Sequence, residues 1–518
     1  MAAWEGSIVD VPHHAFVSEE MPIASFDLVF RGGTVVDGTG APPRRADVAL
    51  AADRIAAVGP DLDATGATIV DATGLAVAPG FVDVHTHDDF AVLLYPEMGF
   101  KVQGGVTTVV VGNCGMGAAP WPQARGYALA FHPGHVLPEW DGYDGYFRQI
   151  EATPASCNVA ALIGHGAARA AVMGGEARAP RDAELAQMVA IVREGVAAGC
   201  VGLSTGLIYE PGKHAGREEI ATLAAECRAN GGLYATHMRD EGAGLLDSIR
   251  ESIEIGERAG VPIQISHHKA AGRQNWGLVR ESLGLLDAAR TRGVDVMADQ
   301  YPYTAASTVL AAIVSYFADT GERGIGRGDP DEVVLSAAPQ HPEWEGRSIG
   351  ALAREWSIEP LAAARRVLDC EGIQASVVIH NMDEADVRAV LRHPTTMIGS
   401  DGLPMLHGKP HPRLYGTFAR VLGTYVREQG VLPLEVAVHR MTGLSAQRFG
   451  LVDRGVLRAG AFADVVVFDP ASIADIATYA EPHRHPAGIG HVFVNGEAVV
   501  RDGAHTGMHS GRVVRKRS

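Results

Sequence analysis

Eight short apolar runs through the middle of the chain constrain its fold most. They are GFVDVH (80–85), VTTVVVG (106–112), CNVAALIG (157–164), CVGLST (200–205), GGLYATH (231–237), VPIQISH (261–267), VDVMAD (294–299) and TTMIGSD (395–401). Each has the length of one strand and is apolar on both faces, as buried parallel strands are. Most are separated by helical patterns such as AELAQMVAIVREGVAAG (183–199) and EEIATLAAECRANG (218–231). Eight strands alternating with helices predict an α/β fold, a (β/α)8 TIM-like barrel. A ninth run, ASVVIHN (375–381), exceeds that count. It follows a stretch rich in charge and proline, about 308–370, read as an insertion forming its own subdomain on the barrel.

The flanks have a different texture. FDLVFRGGTVVDG, ADVALAADRIAAVG and ATIVDATGLAVAPG on one side, and ADVVVFDP, IGHVFVNGEAVVRDG and GRVVRK on the other, read as β-hairpins. Neither set has enough strands for a good core alone. Residues 25–79 and 452–518 are therefore expected to pair into one small β-sandwich beside a barrel at 80–451, after an irregular leader at 1–24. A chain of 518 residues with 47% hydrophobic content can fill such a core. Its formal charge of −17 excludes nucleic acid as a partner, because phosphate binding needs a basic face. The 5 cysteines are odd in number and scattered, which predicts no disulfide framework and a reducing, cytoplasmic compartment. The opening MAAWEGSIVDVPHHAF lacks the pattern of a secretory signal, and no run reaches the roughly 18 apolar residues of a membrane helix. A soluble protein with no membrane partner is expected.

In a (β/α)8 barrel the chemistry lies at the C-terminal ends of the strands. Those ends carry His85-Thr86-His87, Cys114, His237, His267 and Asp401. On extended backbone His85 and His87 point to one face. Taken alone, Cys114 at the tip of TTVVVGNCG reads as a small packed hydrophobe, and each histidine as a core residue. Recurrence at successive strand ends turns the set into a metal site. His268 points to the opposite face from His267 and is excluded as a ligand. His165, in LIGHGAAR, is open among orientation, substrate contact and a structural hydrogen bond. Thiolate with imidazole favours zinc, and three protein ligands leave one position open, as catalytic zinc requires. Asp401 is the matching general acid/base.

The motifs PGFVDVHTHDD, GVTTVVVGNCG, GLSTGLIYEPGK, YATHMRDEG, ISHHK, DQYPYTAAST, SDGLP and HPRLYGTFARVLG, taken together, resemble the amidohydrolase superfamily, and within it the D-aminoacylases or N-acyl-D-amino-acid deacylases. The resemblance runs from about Phe26 to about Arg512. It implies that Cys114, His237 and His267 hold a tight zinc ion, that His85 and His87 form a second, weaker site sharing Cys114, and that Asp401 is catalytic. It implies that Lys269, Tyr301, Ser307 and Arg413, with Tyr209 nearby, hold the substrate, a small N-acyl amino acid. Many superfamily members bridge two metals with a carboxylated lysine at the end of strand four. Here that end reads VGLSTGLIYE, and Lys213 comes well after it. Cys114 stands in for that lysine, which counts against hydantoinase and dihydroorotase readings. The implied activity is zinc-dependent hydrolysis of N-acyl-D-amino acids. The alternatives are another amide hydrolase of the superfamily, such as a D-residue dipeptidase or cyclic amidase, and a non-catalytic barrel relative.

Overall fold

The structure is a computed structural model that describes residues 26–317 and 329–516. The expected leader at 1–24 lies outside the described residues. All eight apolar runs form strands of one eight-stranded parallel sheet: Phe81–Asp83, Val106–Val111, Asn158–Gly164, Gly202–Gly206, Leu233–His237, Ile263–Ile265, Val296–Gln300 and Thr396–Ile398, in that spatial order. Helices such as Asp182–Ala198 and Leu245–Ala259 lie between them in the chain. The helix Leu245–Ala259 buries one face only, through Leu245, Ile249, Ile253 and Ile255, as its apolar spacing requires.

The ninth run becomes the strand Ser376–Ile379. It sits not in the barrel but in the centre of a three-stranded antiparallel sheet with Ala306–Val309 and Val333–Ala337. This sheet has its own apolar core, which includes Leu335, Trp344, Leu352 and Val377. Of its strands, Val333–Ala337 lies inside the 308–370 stretch, Ala306–Val309 straddles its start and Ser376–Ile379 lies beyond its end.

The two chain ends join in one continuous nine-stranded sheet around a common core containing Phe30, Val48, Val465 and Phe493. The joint is the antiparallel pairing of Ala76–Pro79 with Val465–Phe468, nearly four hundred residues apart in sequence. No described helix is long and apolar enough to cross a membrane.

The barrel closes between its first and last strands at the level of their C-terminal ends. The Asp401 N–H donates to the His85 carbonyl at 2.7 Å, and the His87 N–H to the Gly402 carbonyl at 3.0 Å. Gly399 is required here, since a Cβ on it would lie 2.5 Å from the His85 Cβ. Under the seam lies the fully buried Lys101, which donates to Asp83 (2.7 Å), Thr86 (2.9 Å) and Ser400 (2.9 Å) and faces Asp88 at 3.3 Å. Burial alone would lower its pKa, but Asp83 and Asp88 keep it raised. Removing one partner of such a buried pair costs about 3–5 kcal/mol, because the other charge is left unpaired. Lys101→Met is expected to lower the urea midpoint accordingly; an unchanged midpoint would show that this cation does not hold the seam.

Candidate active site

Cys114 lies three residues past the second barrel strand, in a left-handed conformation (φ 55°). Its turn packs against the end of the fourth strand so closely that a Cβ on Gly206 would stand 2.1 Å from the Cys114 carbonyl oxygen. The thiol therefore projects into the barrel mouth, 4% exposed. Its sulfur is 3.4 Å from His85 Nε2, 3.6 Å from His267 Nε2 and 3.7 Å from His237 Nδ1. Burial raises the pKa of a thiol, as it does for Cys157, Cys200 and, to about 12, Cys227. At Cys114 burial is outweighed by His85 and by hydrogen bonds from the surrounding imidazoles, so the thiol is held well below its ordinary range. Among the buried cysteines it is the one poised to be a thiolate, the form that binds metal.

Asp401 closes the site from the other side, also left-handed (φ 49°), as is His267 (φ 36°). Such backbone conformations are uncommon for residues other than glycine and gather at functional sites. One Asp401 oxygen lies 3.1 Å from His87 Nε2 and 3.5 Å from His85 Nε2; the other is 2.9 Å from Arg413 Nη1. Burial pushes this carboxyl up, but Arg413 and the neighbouring histidines overcome it and keep it ionised.

Ligand atoms of His85, Cys114, His267 and Asp401 all lie within 4.8 Å of one another, and so do those of His237, Glu241 and His267. One sulfur, several imidazoles and a carboxylate in a buried cluster fit a zinc ion by donor type. Two carboxylates that the sequence reading missed orient the imidazoles from behind. Asp299 accepts from His85 Nδ1 at 3.1 Å, and Glu241 stands 2.9 Å from His267 Nδ1 and 3.7 Å from His237 Nε2. Such partners fix which ring nitrogen faces the metal. The loop position of Glu241, four residues past His237 in YATHMRDEG, was the signal that could have found it.

A small cavity opens onto this cluster. Tyr209, Lys269, Tyr301 and Ser307 all line it; Arg413 does not. Arg413 lies one layer behind, 1% exposed, with Nη2 donating to the Ser307 carbonyl at 3.2 Å and its guanidinium over the Tyr301 ring. Lys269 donates to Glu241 at 2.5 Å and sits 2.9 Å from His267 Nδ1. The Ser307 hydroxyl is buried without a partner among the described residues, and the Tyr209 hydroxyl pairs with Thr308 at 3.2 Å. His268 points away, bonded to Ser282 at 2.7 Å, and burial lowers its pKa to about 3. His165 makes a structural hydrogen bond, 2.9 Å to Glu219, which also pairs with Arg169. Lys213 pairs with Glu210 at 2.7 Å, half exposed and away from the cluster.

The amidohydrolase family model (Amidohydro_3) matches residues 68–500. D-aminoacylase of Alcaligenes xylosoxydans xylosoxydans is 45% identical, over 94% of this chain and 97% of its own. N-acyl-D-glutamate deacylase of the same organism is 42% identical, over 95% and 96% respectively. The crystal structure of N-acyl-D-glutamate deacylase from Bordetella bronchiseptica, complexed with zinc and a phosphonate mimic of the tetrahedral intermediate, superposes with a TM-score of 0.85 at 40% identity, covering 95% of this chain and 100% of its own.

Losing an outer carboxylate that orients a ligand histidine typically weakens metal binding about 10–100-fold. Glu241→Gln is expected to raise the zinc dissociation constant by that factor in a competitive chelator titration, while His268→Ala leaves it unchanged. Equal affinities in all three proteins would remove Glu241 from the metal site.

Proposed function

We propose that this chain, a member of the amidohydrolase family, hydrolyses the amide bond of N-acyl-D-amino acids to a D-amino acid and a carboxylate. The observation that carries the reading is the Cys114 sulfur, ringed by three imidazoles and facing the ionised Asp401 at the mouth of the barrel. The named activities of relatives at 42–45% identity support it.

Cys114, His237 and His267 would hold one zinc ion tightly, and His85 and His87, sharing Cys114, a second more weakly. When bound, zinc polarises the amide carbonyl and lowers the pKa of water. Asp401 then does the proton work. Arg413 engages one of its oxygens, leaving the oxygen near His85 and His87 to accept the proton of the attacking water. The same oxygen returns that proton to the departing amine nitrogen, completing one acid/base cycle. Lys269, with Arg413 behind it, supplies the positive potential that receives the substrate's α-carboxylate. Ser307, whose hydroxyl has no partner among the described residues, and the hydroxyls of Tyr209 and Tyr301 supply polar contacts for the amide. Anchoring carboxylate and acyl group at two points leaves one direction for the side chain, and this selects one hand.

Zinc-loaded protein is expected to release amine from a series of N-acetyl-D-amino acids and to leave their L forms largely intact. Equal hydrolysis of both hands would overturn the reading. Asp401→Ala is expected to retain its zinc by elemental analysis and to lose about 10²–10⁴-fold in turnover, the usual scale of acid/base catalysis. Near-normal turnover would remove Asp401 from the mechanism.

A further inference from the structure

The turn that carries Cys114 holds left-handed backbone at Gly112 (φ 79°), Cys114 (φ 55°) and Gly115 (φ 74°). Glycine takes that conformation freely, but cysteine does not, and it persists only where the surroundings over-determine it. The turn is wedged between two strands. A Cβ on Gly112 would stand 2.2 Å from the Leu162 carbonyl oxygen on the third barrel strand, and one on Gly115 would stand 2.8 Å from the Gly206 nitrogen on the fourth. Close packing excludes side chains at both glycines. It does not by itself satisfy the peptide groups on either side of Cys114, which are buried and need polar partners.

The fourth strand, Gly202–Gly206, supplies a partner for both. The Ser204 hydroxyl donates to the Gly112 carbonyl, and its oxygen accepts from the Gly115 N–H at 3.0 Å. A carbonyl can only accept and an N–H can only donate, so the hydroxyl proton is committed to Gly112 and a lone pair to Gly115. One side chain thus bridges the backbone two residues before Cys114 and one residue after it. Ser204 is fully buried on a strand paired on both sides, opposite Gly164 on the third strand and Ala235 on the fifth. Its anchor is therefore the barrel sheet. Asn113 also braces the turn, donating to the Val110 carbonyl at 2.8 Å, but that bond lies within the same segment and leaves it free to move as a unit. Ser204 ties the segment to a different strand.

We infer that Ser204 is a positioning residue for the metal centre: by bonding the peptide groups on both sides of Cys114, its hydroxyl fixes where the sulfur stands relative to His85, His237 and His267. This rests on Cys114 being a metal ligand, as proposed above. Without the hydroxyl, a buried carbonyl and a buried N–H lose their partner. The turn then shifts to satisfy them, and the sulfur moves with it, away from its place 3.4–3.7 Å from the three imidazoles.

The test compares the full chain with Ser204→Ala by competitive chelator titration of zinc and by the thiolate-to-cobalt absorption of the cobalt-loaded protein. Ser204→Ala is expected to raise the zinc dissociation constant about 10–100-fold and to weaken or shift the thiolate-to-cobalt band. Ser204→Thr, which keeps a hydroxyl, is expected to restore both. A residue that only stabilised the fold would lower the urea midpoint and leave the band in place. Unaltered zinc affinity and an unaltered band in Ser204→Ala would overturn the inference while leaving the metal site intact. A missing band in the unaltered chain would instead remove Cys114 as a ligand, and the inference with it. Should Ser204→Ala fail to fold, Ser204→Val set against Ser204→Thr makes the same comparison in two side chains of one shape. Equal affinities and bands in that pair would overturn the inference.

Discussion

A thiolate buried in the barrel mouth is the constraint around which the rest of the site is arranged. Cys114 is almost fully enclosed, and an unpaired charge there would be strongly unfavourable. Three imidazoles within 3.7 Å change its character from that of the other buried cysteines, whose thiols burial pushes up. The imidazoles in turn present the correct nitrogens because Asp299 and Glu241 engage their far sides. Lys269 keeps Glu241 ionised, and Arg413 keeps Asp401 ionised. Each charge in the mouth thus has a named partner, and a divalent cation is the group this concentration of donors accommodates.

The barrel supplies the geometry. His85 and Asp401 come from the two ends of an eight-stranded sheet, and they meet because that sheet closes on itself there. Backbone hydrogen bonds across the seam and the buried Lys101 beneath it set the distance between the first-strand histidines and the Asp401 carboxylate. Three of the central residues, Cys114, His267 and Asp401, take left-handed backbone that the close-packed strand ends enforce. The inserted sheet also lines the cavity, through Ser307, Val309 and Ile379.

Much of this was legible in the sequence. The eight barrel strands stood out because parallel strands are buried on both faces and read as unbroken apolar runs. The cluster stood out because the barrel places chemistry at strand ends, and His85, His87, Cys114, His237, His267 and Asp401 all fall there. What was not legible depends on contacts between distant segments. Asp299 reads as the last residue of a strand, and only the fold puts it behind His85. Glu241 sits in a loop after its strand and gains its meaning from two histidines thirty residues apart. Arg413 belongs to the site, but spacing could not tell the first layer around the cavity from the second. Met116, Phe131, Val309, Ile379 and Leu403, which also line the cavity, come from five separate stretches, so no local pattern announces them. His165 was open among three roles until Glu219 was seen beside it.

The most direct test of the central claim is X-ray absorption at the zinc edge of the metal-loaded protein. One sulfur scatterer at about 2.3 Å is expected together with nitrogen or oxygen scatterers at about 2.0–2.1 Å, with the sulfur contribution lost in Cys114→Ser. A spectrum of nitrogen and oxygen ligands alone in the unaltered chain would contradict it, and would return Cys114 to the class of packed, buried thiols.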